Sequence, residues 1–308
     1  MKAMLATGNA APSPSIELAD VDEPRLRPDE ALIKVEAYSV NRGETFLLER
    51  PPANWRPGKD VAGLVVQAAA DGSGPAVGRR VVGHPPQGGW AEYAAVPTNA
   101  LAELPDGIGS VTAAALPLAG LTALRLLRVA GAVTGRRILM TGASGGVGHY
   151  FVELAAAAGA AVTAVTGSAE RGARLRELGA AEIVHDVAAA GGPFDIVLES
   201  TGGANLSAAA MKLRPHGTLV WFGQAGRTPG ELNFFDFLYG PSSSVIRHFS
   251  YVDFDEPFGA DLGVLVELVA AERLHPEIGL VAEWTETAEV LERLRGRGIR
   301  GNAVLTVG

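Results

Sequence analysis

The sequence contains no cysteine. That alone excludes disulfide cross-links and thiolate metal sites, and it is compatible with a reducing compartment. Basic residues are also in the minority. Against 34 Asp and Glu stand 26 Lys and Arg, a formal net charge of −8. A nucleic-acid-binding protein usually carries a basic face, so that class is disfavoured. No unbroken apolar run approaches the roughly 18 residues of a membrane-spanning helix. The first residues, MKAMLATGNAAPSPS, lack a long apolar stretch ahead of a small-residue cleavage site. No secretory signal is expected, and the cytoplasm is the expected location. Low-complexity tracts and repeats of fixed period are absent as well.

What is present is a chain of 308 residues, 47% hydrophobic and 19% charged, with 39 glycines. At about 100–200 residues per domain, that length predicts two domains. Residues 1–110 predict a β-rich, barrel-like domain: 31–37 alternates, and 61–68 and 80–83 are short apolar runs broken by Gly and Pro. The pattern turns helical over 111–130, with an interruption at Pro117 and Gly120. From Arg136 onward strands are predicted at 137–141, 161–166, 183–185, 195–199 and 218–222. Helices are predicted at 146–158 and 169–178. Alternation of this kind implies parallel strands joined by crossover helices. A further helix at 262–272 and a strand at 303–307 close the chain, and this tail is expected to return to the first domain.

The sharpest motif follows the apolar stretch 137–141. Gly142, Ala143, Ser144, Gly145, Gly146, Val147 and Gly148 form a glycine loop between a predicted strand and a predicted helix. Glycine allows a tight turn and close approach of backbone to a pyrophosphate, and the helix N-terminus adds unpaired N–H groups and a favourable dipole. The loop reads A-x-G-x-x-G, since Ala143 stands where the first glycine is usual. Its strand-before, helix-after context points to a dinucleotide. Ser144 lies in G-A-S-G-G rather than G-x-S-x-G, so it belongs to a phosphate loop and not to a hydrolase.

The end of the second strand separates NADH from NADPH. An NAD enzyme places an acidic residue there for the ribose hydroxyls. This chain has Gly167 and Ser168, then Glu170 slightly late, and Arg171 beside it. An arginine in the first turn of a helix opposes the macrodipole, and a 2′-phosphate partner explains its placement. NADPH is therefore the expected cofactor.

Several motifs in order resemble the zinc-free quinone oxidoreductases of the medium-chain dehydrogenase/reductase superfamily. They are GKDVAG at 58–63, GGWAEY at 88–93, ALPLAGLTA at 115–123, the loop 142–148, ESTGG at 199–203 and RGNAVLT at 300–306. The resemblance covers nearly the whole chain. It implies an α/β protein, with a GroES-like catalytic domain from residues 1–112 and 253–308 and a Rossmann doubly wound domain over 113–252. It also implies that the three catalytic zinc positions of related alcohol dehydrogenases fall on Asn41, Lys59 and Leu118, which form no plausible zinc set. The six histidines, at 84, 149, 185, 216, 248 and 275, suggest no local metal motif.

By the same resemblance Asn41 lies beside the nicotinamide, where its amide could meet a substrate carbonyl or a ribose hydroxyl. Thr122 is expected near the nicotinamide. Asn302 stands where relatives often have lysine. Ser200, Phe222, Gly223 and Gln224 follow strand ends, where ligands of open α/β sheets bind. Tyr38, Trp55 and Trp90 are candidates for an aromatic substrate pocket, although aromatics are more often plain core. The expected reaction is metal-free hydride transfer from NADPH to a quinone or an α,β-unsaturated carbonyl. Reduction of enoyl thioesters, zinc-free alcohol oxidation and a non-catalytic NADPH sensor are the rivals. A homodimer is expected, with 233–239 and 244–249 as the candidate edge.

Overall fold

The computed structural model describes residues 1–8 and 15–308. The N-terminal stretch read above for targeting signals includes 9–14, which lie outside the described residues. The chain forms two compact units, Met1–Leu121 with Asp255–Gly308, and Thr122–Phe254. The boundaries fall at 121/122 and 254/255, whereas the sequence suggested 112/113 and 252/253.

The first unit opens with a hairpin of β1 (Lys2–Ala6) and β2 (Ile16–Asp20). Its main sheet is built around β3 (Glu30–Val40), a strand buried on most of its length. β3 turns into the short helix α1 (Arg42–Leu47), and the chain continues through β4 (Val61–Gln67), β5 (Arg80–Gly83), β6 (Tyr93–Pro97) and β7 (Leu101–Glu103). Where the sequence suggested one interrupted helix over 111–130, there are two, α2 (Ser110–Ala114) and α3 (Pro117–Ala130). Pro117 has no N–H to continue the first helix, but it suits the first position of the second.

The second unit contains a six-stranded, wholly parallel sheet. In chain order its elements are β8 (Arg137–Met140), α4 (Gly146–Ala157), β9 (Ala161–Val165), α5 (Ala169–Gly172), β10 (Glu182–Val184), β11 (Phe194–Glu199), α6 (Ala204–Ala210), β12 (Leu213–Trp221), α7 (Phe234–Tyr239) and β13 (Val245–His248). The spatial order is β10-β9-β8-β11-β12-β13. The first three strands run outward to one side and the next three to the other, which is the doubly wound order of dinucleotide-binding sheets. The direction reverses between β8 and β11, paired in register at Ile138 and Ile196. The single helix suggested for 169–178 is instead the four residues of α5 followed by a 3₁₀ turn over Ala173–Arg176.

The tail returns to the first unit with α8 (Phe258–Ala270), β14 (Ile278–Glu283), α9 (Thr287–Arg295) and β15 (Asn302–Thr306). β15 pairs antiparallel with β3 and parallel with β14, completing the order β14-β15-β3-β4-β5-β7, with β6 on the other half of β3. Ile33, Val35, Tyr38, Val61, Trp90, Val96, Leu291 and Leu305 share one core there. No helix among the described residues is long and apolar enough to cross a membrane.

Candidate functional site

In the parallel unit the glycine loop leaves β8 at the switch point and enters α4. Ala143 N donates to Val165 O at 3.1 Å, which holds the loop against β9. A Cβ on Gly148 would stand 2.2 Å from Ala143 O, so only glycine lets α4 start this close beneath the loop. Gly145 caps α4, and Gly146, Val147 and Gly148 form its first turn, whose N–H groups have no intrahelical acceptor. This is a cradle of anion-binding type.

The residues expected to read a 2′-phosphate meet at the end of β9. Ser168 is the N-cap of α5, and its Oγ accepts from Arg171 N at 3.4 Å. Arg171 Nε donates to Ser144 Oγ at 3.3 Å, so the guanidinium reaches back to the glycine loop. Gly167 is exposed, with open space where a Cβ would be. The chemistry fits NADPH: a cation and two hydroxyls converge beside a helix N-terminus.

Across the switch point the loops after β11 and β12 lie together. Phe222 N donates to Glu199 O at 2.9 Å and Ala225 N to Ser200 O at 2.8 Å. Ser200 Oγ donates to Thr141 O at 3.2 Å, and Gly223 packs on Ser200. Ser200 is thus brought beside Gly142 of the glycine loop, with Phe222 and Gly223 bonded or packed around it and Gln224 against Gly202. The sequence reading missed what organises them, the fully buried Glu199. Its Oε1 accepts from Thr141 Oγ1 at 3.1 Å, Thr201 N at 2.8 Å, Thr201 Oγ1 at 2.6 Å and Gly202 N at 3.1 Å. The available signal was a carboxylate closing an otherwise apolar strand. Thr122 is buried near the start of this unit.

In the first unit a second polar cluster forms because three antiparallel strands end together. Val61 pairs with Tyr38 and with Gly83, so the end of β3, the start of β4 and the end of β5 are neighbours. Asp60, fully buried, is the hub. Its Oδ2 accepts from Ser39 Oγ and from Asn41 Nδ2, both at 2.6 Å. Its Oδ1 accepts from Leu118 N at 3.0 Å and faces His84 Nδ1 at 3.2 Å. Of the three expected zinc positions, Asn41 and Leu118 bond to this carboxylate and Lys59 directly precedes it in sequence. An amide, a lysine and a leucine are not a zinc donor set.

Glu44, one turn into α1, joins the cluster. It accepts from Asn41 N at 3.0 Å and Gly58 N at 3.0 Å. Burial, and next the nearby Asp60, push its carboxyl up to about 8, against a weaker downward pull from these bonds. Gly58 is required here, with φ +109° and a Cβ position only 2.2 Å from Trp90 N.

This geometry revises several expected roles in the first unit. The Asn41 amide nitrogen is committed to Asp60, so it is poorly placed to donate to a substrate oxygen. The same nitrogen also lies 3.4 Å from Glu44 Oε2 and 3.5 Å from Ser39 Oγ, which leaves Oδ1, an acceptor, as the other polar atom of the side chain. Tyr38 and Trp90 do not line an open pocket. They stack at 5.8 Å in the core, with Tyr38 OH bonded to Thr287 Oγ1 at 2.7 Å and Trp90 Nε1 donating to Ser39 O at 3.0 Å. Trp55 alone of the three keeps a partly exposed ring. Asn302 is buried, and its Nδ2 donates to Glu277 O at 3.1 Å, a bond that stitches β15 to the residue ahead of β14.

Two family models match the chain: the alcohol dehydrogenase GroES-like domain over residues 27–106, and the zinc-binding dehydrogenase model over 146–260. A quinone oxidoreductase of Pongo abelii is 28% identical over 307 residues, covering 93% of this chain and 92% of its own. A chloroplast envelope quinone oxidoreductase homolog of Arabidopsis thaliana is 37% identical over 187 residues, 55% of this chain and 56% of that protein. A second plant relative is matched over the same 56%, so the chain spans about half the length of these two. Among solved structures, a mycobacterial protein in complex with NADPH superposes with a TM-score of 0.90 at 25% identity, over 99% of this chain and all of the other.

Proposed function

The chain belongs to the medium-chain dehydrogenase/reductase superfamily, on its quinone oxidoreductase-like side, and from that premise we propose that it is an NADPH-dependent oxidoreductase that reduces a quinone or an α,β-unsaturated carbonyl without metal. The observation that carries this reading is the contact of Arg171 with Ser144 across the glycine loop, beside Ser168 and the first turn of α4. It makes an anion site at the strand end where an NADH enzyme would hold an acid.

When bound, NADPH supplies the hydride. The chain's own residues do the rest. The loop from Gly142 to Gly148 and the α4 N-terminus hold the pyrophosphate. Gly167, Ser168 and Arg171 take the 2′-phosphate. Ser200, Phe222, Gly223 and Gln224 border the ribose and nicotinamide, and Thr122 lies with them in this reading. Asn41, its nitrogen held by Asp60, offers Oδ1 to a hydroxyl of the cofactor and acts as a positioning residue. No side chain is required as general acid, because a carbonyl in reach of solvent takes its proton from water. Residence in the cytoplasm and a homodimer paired through the β13 edge belong to the same reading. The first is supported by the cysteine-free sequence, the second by the exposed apolar side chains of α7 and β13.

The test is an NADPH titration followed by a turnover panel of small quinones, enones, enoyl thioesters and aldehydes. NADPH oxidation with quinones or enones is expected. Tight NADPH binding with no turnover on any acceptor would replace the enzyme with a nucleotide sensor. Asn41→Ala separates two roles. Weaker NADPH binding with normal single-turnover transfer is the expected outcome. Slowed transfer at unchanged affinity would restore the donor role.

A further inference from the structure

β9 and β10 are parallel neighbours at one end of the six-stranded sheet, with Val165 beside Val184. The residues that follow them, Thr166 and His185, therefore leave the sheet side by side at its carboxyl edge, where ligands of such sheets bind. Thr166 N donates to Val184 O at 2.9 Å and ties the two exits together. Thr166 is buried, whereas His185 is exposed. A single hydroxyl separates the imidazole from Ser168: Thr166 Oγ1 donates to Ser168 O at 2.8 Å and lies 3.3 Å from His185 Nδ1. Gly167, between Thr166 and Ser168, puts no side chain in the way and has open space where a Cβ would be.

These bonds fix the tautomer of the ring. The Thr166 hydroxyl proton goes to Ser168 O, so toward His185 that oxygen is an acceptor. The other neighbour of Nδ1, Thr166 O at 3.4 Å, is an acceptor too. Nδ1 therefore carries a hydrogen in both charge states. In the neutral ring Nε2 is then a bare lone pair, and only protonation makes it a donor. Nε2 meets no hydrogen-bonding group among the described residues and is not sealed from solvent, so a ligand can reach it. Charges of both signs stand on the elements around the ring. Glu182 and Asp186 belong to its own strand and exit, Glu170 and Arg171 to α5, and Arg174 and Arg176 to the 3₁₀ turn. Glu182 is engaged by Thr163 Oγ1 at 3.1 Å, Asp186 by Ala188 N at 2.8 Å and Arg174 by Glu177 at 3.8 Å.

We infer that His185 is a further cofactor-specificity residue, whose protonated ring donates from Nε2 to the 2′-phosphate and thereby favours NADPH over NADH more strongly as pH falls. This rests on the proposed seat of that phosphate at Ser168 and Arg171 and adds a second, titratable cation to it. The two cations differ in kind. Arg171 is charged at every pH and reaches toward the glycine loop through Ser144. His185 stands on the opposite side of Ser168, behind Thr166, and its outward nitrogen changes from acceptor to donor with one proton. A neutral ring turns a lone pair toward phosphate oxygens, which are themselves acceptors. It has no such conflict with the ribose hydroxyl of NADH, which can donate to it. Protonation therefore acts on the difference between the two cofactors rather than on dinucleotide binding as a whole.

The experiment titrates the full chain calorimetrically with NADP⁺ and NAD⁺, which share the adenine ends of the reduced cofactors and survive mild acid. From about pH 8 to about pH 6, the preference of wild type for NADP⁺ should rise about fivefold or more relative to His185→Gln. The comparison with Gln is needed because the phosphate gains a proton of its own in that range, in both proteins alike. His185→Lys is a cation throughout, so its preference should stay high and follow the slope of the Gln variant. Repeating the titrations in buffers of different ionisation enthalpy counts protons. Wild type should take up more than His185→Gln on binding NADP⁺, and the two should match on NAD⁺. Identical pH profiles in wild type and His185→Gln overturn the inference. So does an equal loss of both cofactors in His185→Gln, which would give the ring to the adenosine or to the fold. If the Gln variant does not fold, a Lys variant with the wild-type slope overturns it as well. Arg171→Ala separates the inference from the reading beneath it. Weakened NADP⁺ binding in Arg171→Ala, without any His185-dependent slope, keeps the reading and discards the inference. A His185-dependent slope with no loss in Arg171→Ala does the reverse. Neither effect would put the 2′-phosphate elsewhere and overturn both.

Discussion

At the scale of single residues, the two units use charge in opposite ways. In the parallel unit Arg171 is partly exposed beside hydroxyls. A charge-assisted hydrogen bond contributes about 1.5–3 kcal/mol, so Arg171→Ala should weaken NADPH binding about tenfold or more and leave NADH little changed. Fluorescence titration with both cofactors decides this, and equal losses would make Arg171 structural. In the first unit Glu44 is buried beside Asp60, and its carboxyl stands near 8 against an ordinary value of 4.5. Between those limits the folded protein holds a proton that the unfolded chain has released. Stability from this group is complete below about 4.5 and is lost as pH rises through about 8, with a slope of up to about 1.4 kcal/mol per pH unit. Glu44→Gln cannot ionise, so its stability relative to wild type should improve with rising pH across that window. Urea unfolding at several pH values measures the difference, and parallel curves would mean that Glu44 ionises in the folded state.

At the scale of elements, what the sequence made legible was whatever a local pattern carries. The strand, glycine loop and helix at 137–158 could be read because apolar period, glycine spacing and helix start coincide within about twenty residues. The strand at 80–83 could be read because Gly and Pro bracket it. Between the expected helix at 262–272 and strand at 303–307, the sequence pattern does not disclose β14 and α9. β14 alternates half-buried and exposed residues and buries none fully, and α9 buries just Thr287, Val290 and Leu291. The Asp60 cluster was illegible too. Ser39, Asn41, Asp60 and His84 meet through strand pairing across more than forty positions, which no local window sees. Asn41 was therefore expected to donate outward when Asp60 holds its nitrogen inward. Glu199 belongs here too, since it fastens the loop from β11 to α6 by receiving four donors on one oxygen. Glu199→Ala would orphan them in a buried site. A stability loss of roughly 3 kcal/mol is expected, with weaker NADPH binding because Ser200 is no longer held against Thr141. A fall in denaturation midpoint without any change in NADPH affinity would confine Glu199 to stability.

At the scale of the whole molecule, one edge is conspicuously uncovered. β13 pairs with β12 on one side, and all four of its residues are exposed. α7, close ahead of it in sequence, buries none of its residues, with Phe234 74% and Tyr239 87% exposed. Monomers seldom leave aromatic side chains and an open strand edge together in solvent, because both invite association. A second copy of the chain is the simplest cover. A two-fold axis would set β13 against its equivalent and α7 against the same patch, closing the assembly without propagating it. The protein should therefore run as a dimer at micromolar concentration by light scattering. Ile246→Lys puts a charge on the strand, and symmetry places it in the interface twice. With about 1.5–3 kcal/mol for each large apolar side chain moved from buried to exposed, dissociation should become at least a hundredfold easier, and the variant should scatter as a monomer. NADPH binding by that monomer tests whether the cradle, built wholly within the parallel unit, works without the partner. A wild-type chain that stays monomeric at micromolar concentration would refute the pairing and leave α7 and β13 in need of a different cover.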